Sequence, residues 1–232
     1  DLQISPKKSI DLYCRGIKKT TNTLLINKNY LFQLISVKNI FIGEDIDKPD
    51  QSATIVANNI EIFIPLSGLI DVGLDRMSIG LEHGNFYYRK NILKRNPSNE
   101  QLFKHLEVIA DSGVVFSINC IIGLVDETRE MVFETIEFCR KLRGFDAITV
   151  SIFTPYHGTV LRSLAVKNNY LDENVLTTHT TSSSLLNMPF FNSEEIDWMF
   201  RTFIMYTRFE KELWPFIKKA EKFDREGNDT WK

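Results

Sequence analysis

The sequence predicts an α/β protein: a partial barrel of parallel strands with helices on its outside, followed by a C-terminal helical tail. Three observations lead there. Short β-rich runs (SATIVAN, RMSIGLE, VFSINCIIG and AITVSIFTP) begin roughly 24 to 39 residues apart with helical segments between them. That is the β-α-β-α rhythm of a parallel sheet. Each of the last three runs alternates between one aliphatic face and one small, largely polar face. None is the continuous Val/Ile/Leu run of a sheet buried on both sides, and the second face lacks the bulk that fills an eight-stranded barrel. A hollow, polar interior fits this pattern.

The alternation can be followed residue by residue. In RMSIGLE, Met77, Ile79 and Leu81 oppose Ser78, Gly80 and Glu82. In VFSINCIIG, Phe116, Ile118, Cys120 and Ile122 oppose Ser117, Asn119, Ile121 and Gly123. In AITVSIFTP, Ile148, Val150 and Ile152 oppose Thr149, Ser151 and Phe153. Ligands of such folds sit at the C-terminal strand ends. Glu82, Asn119, Gly123 and the TPYHGT turn at 154–159 are therefore the first candidates for a site.

Four helices have readable ends. PSNEQLFKHLEVIADSG carries Ser98 as N-cap with Gln101 at capping-box spacing, a stripe of Leu102, Leu106 and Ile109, and Gly113 as its stop. TREMVFETIEFCRKLRG places Met131, Thr135, Phe138 and Leu142 on one side and stops at Gly144. NSEEIDWMFRTFIMYTRFEKEL has Asn192 or Ser193 as cap and acids in its first turn. PFIKKAEKFDREG starts with Pro215 at a first-turn position. Before residue 50 the rhythm is weaker. SPKKSIDLYCRG reads as a helix, IKKTTNTLL as strand and loop, and NKNYLFQLISV as a second helix. TTHTTSSSLL, 177–186, is a polar loop.

Bulk properties narrow the function classes. The 232 residues are 43% hydrophobic and 12% aromatic, enough for a sizeable core. A net charge of −2 and a pI near 6.1 give no basic footprint, so no nucleic-acid partner is indicated. No apolar run has membrane-spanning length: Gln33 and Lys38 interrupt LFQLISVKNIFIG. With no signal peptide, a cytoplasmic setting is expected. Cys14, Cys120 and Cys139 are widely spaced, with no CxxC, so no thiolate metal site is expected from this chain. Cys120 and Cys139 read as buried small hydrophobes.

RMSIGLEHGN, INCIIGLVDETRE and ITVSIFTPYHGT, in this order, resemble the radical S-adenosylmethionine (SAM) enzymes. The likeness is closest to the subgroup whose intact members often carry a cobalamin-binding domain upstream. The stretch FRTFIMYTRFEKELWPFIKKAEKFDREGN resembles the tail that follows the core there. The resemblance runs from roughly residue 5 and is strongest from residue 74. It implies a partial (β/α)6 barrel portion over 1–165 and a mainly helical family tail over 166–232. It also implies a [4Fe-4S] cluster that passes one electron, from an external donor, to S-adenosylmethionine. The resulting deoxyadenosyl radical starts chemistry on a small-molecule or unknown substrate, with cobalamin-dependent methyl transfer among the reactions of the subgroup.

Carried over position by position, the resemblance gives Glu82 the ribose hydroxyls and Asn119 an inward polar contact to the cofactor. It places Ile121 and Gly123 beside the adenine, and lets the backbone of Phe153, Thr154 and Pro155 read the adenine edge. The departures are as plain. The CxxxCxxC cluster loop is absent, and ISPKKSIDLYCRGIKK resembles the segment just after it, so the chain reads as N-terminally truncated and inactive alone. Thr21 and Asn22 stand where relatives often carry an acidic pair, and Val125 and His157 stand where proline is common.

Plainer readings stand beside these. Glu82 could be a surface acid, and Asn119 could bond a neighbouring strand. His83 and His157 lack a third metal ligand. Asp126 and Glu127 read as first-turn acids of the following helix. The alternative function is a non-catalytic β/α scaffold or pseudoenzyme that has lost the cluster site. A barrel for phosphorylated ligands is disfavoured, because no glycine-rich phosphate loop precedes a helix.

Overall fold

A hairpin opens the described fold where a parallel strand was expected. The structure is a computed structural model. It describes residues 73–177, 179 and 183–232, together with 40–41, 52–57 and 60–71, of which 40–65 are described by backbone alone. The helices and the strand expected within residues 5–37, with Cys14, Thr21 and Asn22, lie outside these residues, as do 178 and 180–182 of the polar stretch.

The chain divides into two compact units, 1–74 and 75–232. In the first, β1 (Ile40–Phe41), β2 (Ser52–Ala57) and β3 (Ile60–Pro65) form an antiparallel sheet in that order. Ser52 pairs with Pro65 and Ala57 with Ile60. Helix α1 (Leu66–Asp71) follows. This corrects the reading of SATIVAN as a strand of the parallel sheet. Only Asn58 and Asn59 separate β2 from β3. A two-residue connection joins antiparallel strands, whereas a parallel crossover needs a dozen residues or more.

The second unit holds a three-stranded parallel sheet, β4 (Arg76–Glu82), β5 (Val115–Ile122) and β6 (Phe145–Ile152), in that order. Between the strands lie α2 (Phe86–Asn91), α3 (Asn99–Asp111) and α4 (Arg129–Arg140). The aliphatic face is the core: Leu81, Phe116, Ile118, Cys120, Ile122 and Ile152 are buried. Helices α3 and α4 meet through Phe103 stacked on Phe138, ring centroids 4.3 Å apart. On the other face, Ser78 and Gly80 are exposed and Ser117, Asn119 and Ile121 are half-buried. The parallel strands and their two unlike faces are thus as the sequence predicts.

Helix ends follow the residues named for them. Ser98 and Gln101 form the reciprocal capping box of α3. Gly113 and Gly144, with φ of +80° and +79°, take the left-handed turns after α3 and α4. After α5 (Val160–Lys167), Asn192 rather than Ser193 caps α6 (Ser193–Arg208), with Glu195 completing a second capping box.

The C-terminal stretch starting at Pro215 is two helices instead of one. A 3-10 turn (Lys211–Leu213) leads into α7 (Trp214–Ala220), and Asp224 caps a separate α8 (Arg225–Trp231). An aspartate whose side chain accepts the amide of Gly227 offers the backbone a new start, which breaks the apolar periodicity.

Glu221 fastens this tail. It is buried, accepts from Tyr206 Oη at 2.6 Å and Lys218 Nζ at 3.0 Å, and pairs with Arg129 at the start of α4. Tyr206 in turn packs with Trp214 and Phe133, the three ring centroids 5.0–5.4 Å apart. Removing one member of a fully buried pair costs about 3–5 kcal/mol. Arg129 and Lys218 can reach water, so Glu221→Ala is expected to cost less, about 2–3 kcal/mol in urea unfolding. A midpoint indistinguishable from wild type would show that the cluster does not hold the tail.

Candidate functional site

Glu82 ends β4 in a conformation that its side chain does not favour. Its φ is +65°, and the amide of His83 donates across it to Leu81 O at 2.8 Å. A three-residue turn with positive φ at its centre is the rarer and strained γ form. Non-glycine residues held there are over-determined by their surroundings. The ladder to β5 slips at this point, between Gly80 and Glu82.

The turn sends the carboxylate back over the strand. A Cβ on Gly80 would lie 2.3 Å from Glu82 Oε1. Gly80 is therefore bare because the carboxylate of Glu82 occupies the space above it. Arg95 holds the arrangement, donating to Gly80 O at 2.9 Å and to Glu82 Oε1 at 3.1 Å. Burial raises the Glu82 carboxyl above its ordinary range, and the Arg95 charge pulls the other way.

Around Glu82 the face carries polar groups in a row. Asn119 Nδ2 donates to Ser78 Oγ at 2.8 Å, and Ser117 Oγ lies 3.2 Å from the same oxygen. Asn119 thus has the strand-to-strand bond that the plainer reading expects, and it lies beside Gly80 and Thr149 in the register. Ile121, half-buried, pairs with Ser151.

Gly123 follows β5 with φ +73°. A Cβ there would lie 2.8 Å from Cγ2 of Ile196 in α6. Its backbone conformation and the nearby tail helix both require glycine. Phe153 N extends the ladder to Ile122 O at 2.8 Å, placing Phe153, Thr154 and Pro155 beside the β5 end. Thr154 and Pro155 are buried. Arg162, also buried, fixes this turn, donating to Pro155 O, Glu173 O and Val175 O, each at 2.8 Å.

Several side chains matter that sequence reasoning missed. His83 and Glu127 are both fully buried, with His83 Nε2 3.0 Å from Glu127 Oε1. The approach is an ion-pair distance outside good hydrogen-bond alignment. Glu127 also accepts the Leu124 amide at 3.0 Å through Oε2. This corrects the reading of Asp126 and Glu127 as first-turn acids: α4 begins after the N-cap Thr128, and its first-turn acid is Glu130. Arg89, almost wholly buried, donates to His83 O at 2.7 Å, Gly84 O at 3.1 Å and Asn99 Oδ1 at 2.6 Å. Burial, then the charge of Arg95, lowers its pKa to about 10. In the sequence, His83 stands out only as half of an incomplete metal pair and Glu127 only as a helix-start acid, and nothing local marks Arg89.

Chemically, the rim offers an ionisable carboxylate, hydroxyl and amide groups on an open face, and tightly held backbone at two further strand ends. Such a set suits a flat ligand bearing hydroxyls. Among the described residues no group of three or more metal-ligating side chains occurs. Cys120 and Cys139 lie in the core with their sulfurs 3.8 Å apart, and contact with Cys139 together with burial pushes the Cys120 thiol well up. No described helix is long and apolar enough to cross a membrane.

No protein-family profile matches the chain. It is 41% identical over 81 residues to an uncharacterized methyltransferase of Pyrococcus horikoshii, covering 35% of this chain and 17% of that protein. It is 24% identical over 144 residues to a valine–tRNA ligase of Geobacter sulfurreducens, covering 61% of this chain and 16% of the ligase. A valine–tRNA ligase of Syntrophotalea carbinolica is 30% identical over 84 residues, 35% of this chain and 9% of that ligase. The chain therefore spans less than one fifth of the length of each of these relatives. What the fold and the comparisons define is an α/β chain with a three-stranded parallel sheet and a likeness to a methyltransferase.

Proposed function

We propose that this chain is the adenosyl-binding part of an enzyme that uses S-adenosylmethionine, of the radical type, in which 75–165 contributes to a partial barrel and 166–232 is its tail. The observation that carries the reading is the carboxylate of Glu82, turned back over Gly80 at the C-terminal edge of an open polar sheet face. The likeness to a methyltransferase supports the use of this cofactor for methyl transfer.

In this reading Glu82 accepts the ribose hydroxyls. A carboxylate has about four acceptor positions, and Arg95 engages one oxygen at 3.1 Å, so acceptors remain. Asn119 supplies a polar contact, Ile121 and Gly123 lie beside the adenine, and the backbone at Phe153, Thr154 and Pro155 reads its edge. A [4Fe-4S] cluster does not fit the described residues: Cys120 and Cys139 are core side chains with no third ligand.

Two observations favour the scaffold reading. Glu82 already has an ionic partner in Arg95, and Gly123 is accounted for by its backbone and Ile196. Titration calorimetry of the 232-residue chain with S-adenosylhomocysteine, which needs no reduced cluster, separates the two. The adenosyl reading expects saturable one-to-one binding. No heat at millimolar ligand gives the scaffold reading the lead.

A further inference from the structure

We infer that the buried His83–Glu127 couple is the positioning device for Glu82, tying the turn after β4 to the turn after β5. The inference rests on the adenosyl reading for its functional consequence, but its geometry stands alone.

Among the described residues, two of the four non-glycine residues with positive φ are Glu82, at +65°, and Asp126, at +63°. Each immediately precedes one member of the couple. His83 and Glu127 are both without solvent exposure, and they face each other at 3.0 Å. Each is also bound into its own turn. His83 Nδ1 accepts the Asn85 amide at 2.9 Å, which leaves the proton of a neutral ring on Nε2, toward Glu127. Glu127 Oε2 accepts the Leu124 amide at 3.0 Å, while its own amide donates to Leu124 O at 3.0 Å. Asp126 thus occupies the third position of a hydrogen-bonded turn, where positive φ normally selects glycine or asparagine.

Neighbouring groups brace the same link. Tyr88 stacks on His83, centroids 4.5 Å apart, and its hydroxyl donates to Val125 O. Arg89 Nη1 binds the carbonyls of His83 and Gly84. A residue that is unfavourable on its own backbone stays there only if its neighbours hold it. Here the neighbour of Glu82 is packed, without solvent exposure, 3.0 Å from the carboxylate of the next strand's turn. The carboxylate is thereby set over Gly80 before any ligand arrives, which lowers the ordering cost of binding. His83 and Glu127 do not face the ligand. They act through Glu82.

The test uses the full chain with His83→Ala and His83→Gln, the second keeping a nitrogen in reach of Glu127. Two readouts are taken: the backbone carbon shifts of Glu82 by NMR, which report positive φ, and calorimetric affinity for S-adenosylhomocysteine. The inference expects His83→Ala to move the Glu82 shifts and to weaken binding about tenfold or more, with His83→Gln restoring both in part. A folded alanine variant with unchanged Glu82 shifts and unchanged affinity overturns it. If alanine prevents folding, His83→Asn keeps the acceptor for the Asn85 amide and removes the nitrogen facing Glu127, and the same two readouts apply. Moved Glu82 shifts in a chain whose wild type binds no ligand support the positioning device and overturn the adenosyl reading.

Discussion

Glu82→Gln is expected to weaken adenosyl binding roughly ten- to hundredfold while raising the melting temperature at neutral pH. The two effects have one origin. Hydrogen bonds to a charged acceptor contribute about 1.5–3 kcal/mol, and each 1.4 kcal/mol is about a factor of ten. Glutamine keeps the shape but exchanges one acceptor for a donor and loses the charge. For stability the sign runs the other way. Burial holds the Glu82 carboxyl above its ordinary value of 4.5, more than Arg95 lowers it. The folded chain therefore keeps a proton that the unfolded chain has released. Stability from this group is fully present below the unfolded value and is lost as pH rises from there through the raised folded value. Glutamine does not titrate, so the variant gains on wild type across that window and keeps the gain above it. Thermal melts from pH 4 to 8 with paired calorimetry check both halves. A variant that is less stable than wild type at pH 7 would contradict the electrostatic account of Glu82.

Gly84→Ala is expected to be the most damaging small substitution near the site. A Cβ there would lie 2.5 Å from Thr135 Cα, 2.7 Å from Glu134 O and 2.8 Å from Thr135 N. All three are backbone atoms of α4, so no side chain can turn aside. The Gly84 amide also donates to Thr135 Oγ1 at 2.8 Å, and Asn85 Nδ2 binds Glu134 at 2.8 Å. The added methyl must push the whole turn off the helix. Overpacking of a rigid contact costs about 3 kcal/mol or more, roughly a 6–12 °C fall in melting temperature for a unit of this size. Displacing this turn also displaces Glu82, two residues earlier, so binding should fall with stability. Gly113→Ala, where φ is +80° but nothing lies within 4 Å of the added methyl, is the control. It should cost only the backbone strain, about 1 kcal/mol. Equal melting temperatures for the two variants would show that the approach of α4 to Gly84 is looser than described.

What the sequence disclosed and what it hid divide along a physical line. Strand alternation and caps are local patterns, so the two unlike faces of β4–β6, the Ser98 capping box and the Gly113 and Gly144 stops could be read directly. The hairpin of β2 and β3 is the exception: its two-residue spacer is local, but it is legible only once IEIFIP is recognised as a second strand beside SATIVA. The break before α8 carries little signal, because Asp224 is one more polar residue in a polar stretch until its cap to Gly227 is seen. The layout of the candidate site was half legible. Glu82, Asn119 and the ends of β5 and β6 follow from alternation and strand ends. Arg95, 13 residues from its partner, and Glu127, 44 residues from His83, carry no periodic mark. Their pairings exist only once the turns after β4 and β5 are brought side by side. Glycines were the sharper clue: Gly80 is explained by the carboxylate above it, a reason no pattern of hydrophobicity states.

The central claim is that the C-terminal ends of β4, β5 and β6 form one adenosyl-binding surface. The most direct measurement is an amide chemical-shift titration of the 232-residue chain with S-adenosylhomocysteine. The account predicts saturable shifts concentrated at Gly80, Glu82, Asn119, Gly123 and Thr154, and absent from α7 and α8. Shifts that cluster elsewhere, or none at saturating ligand, would contradict it.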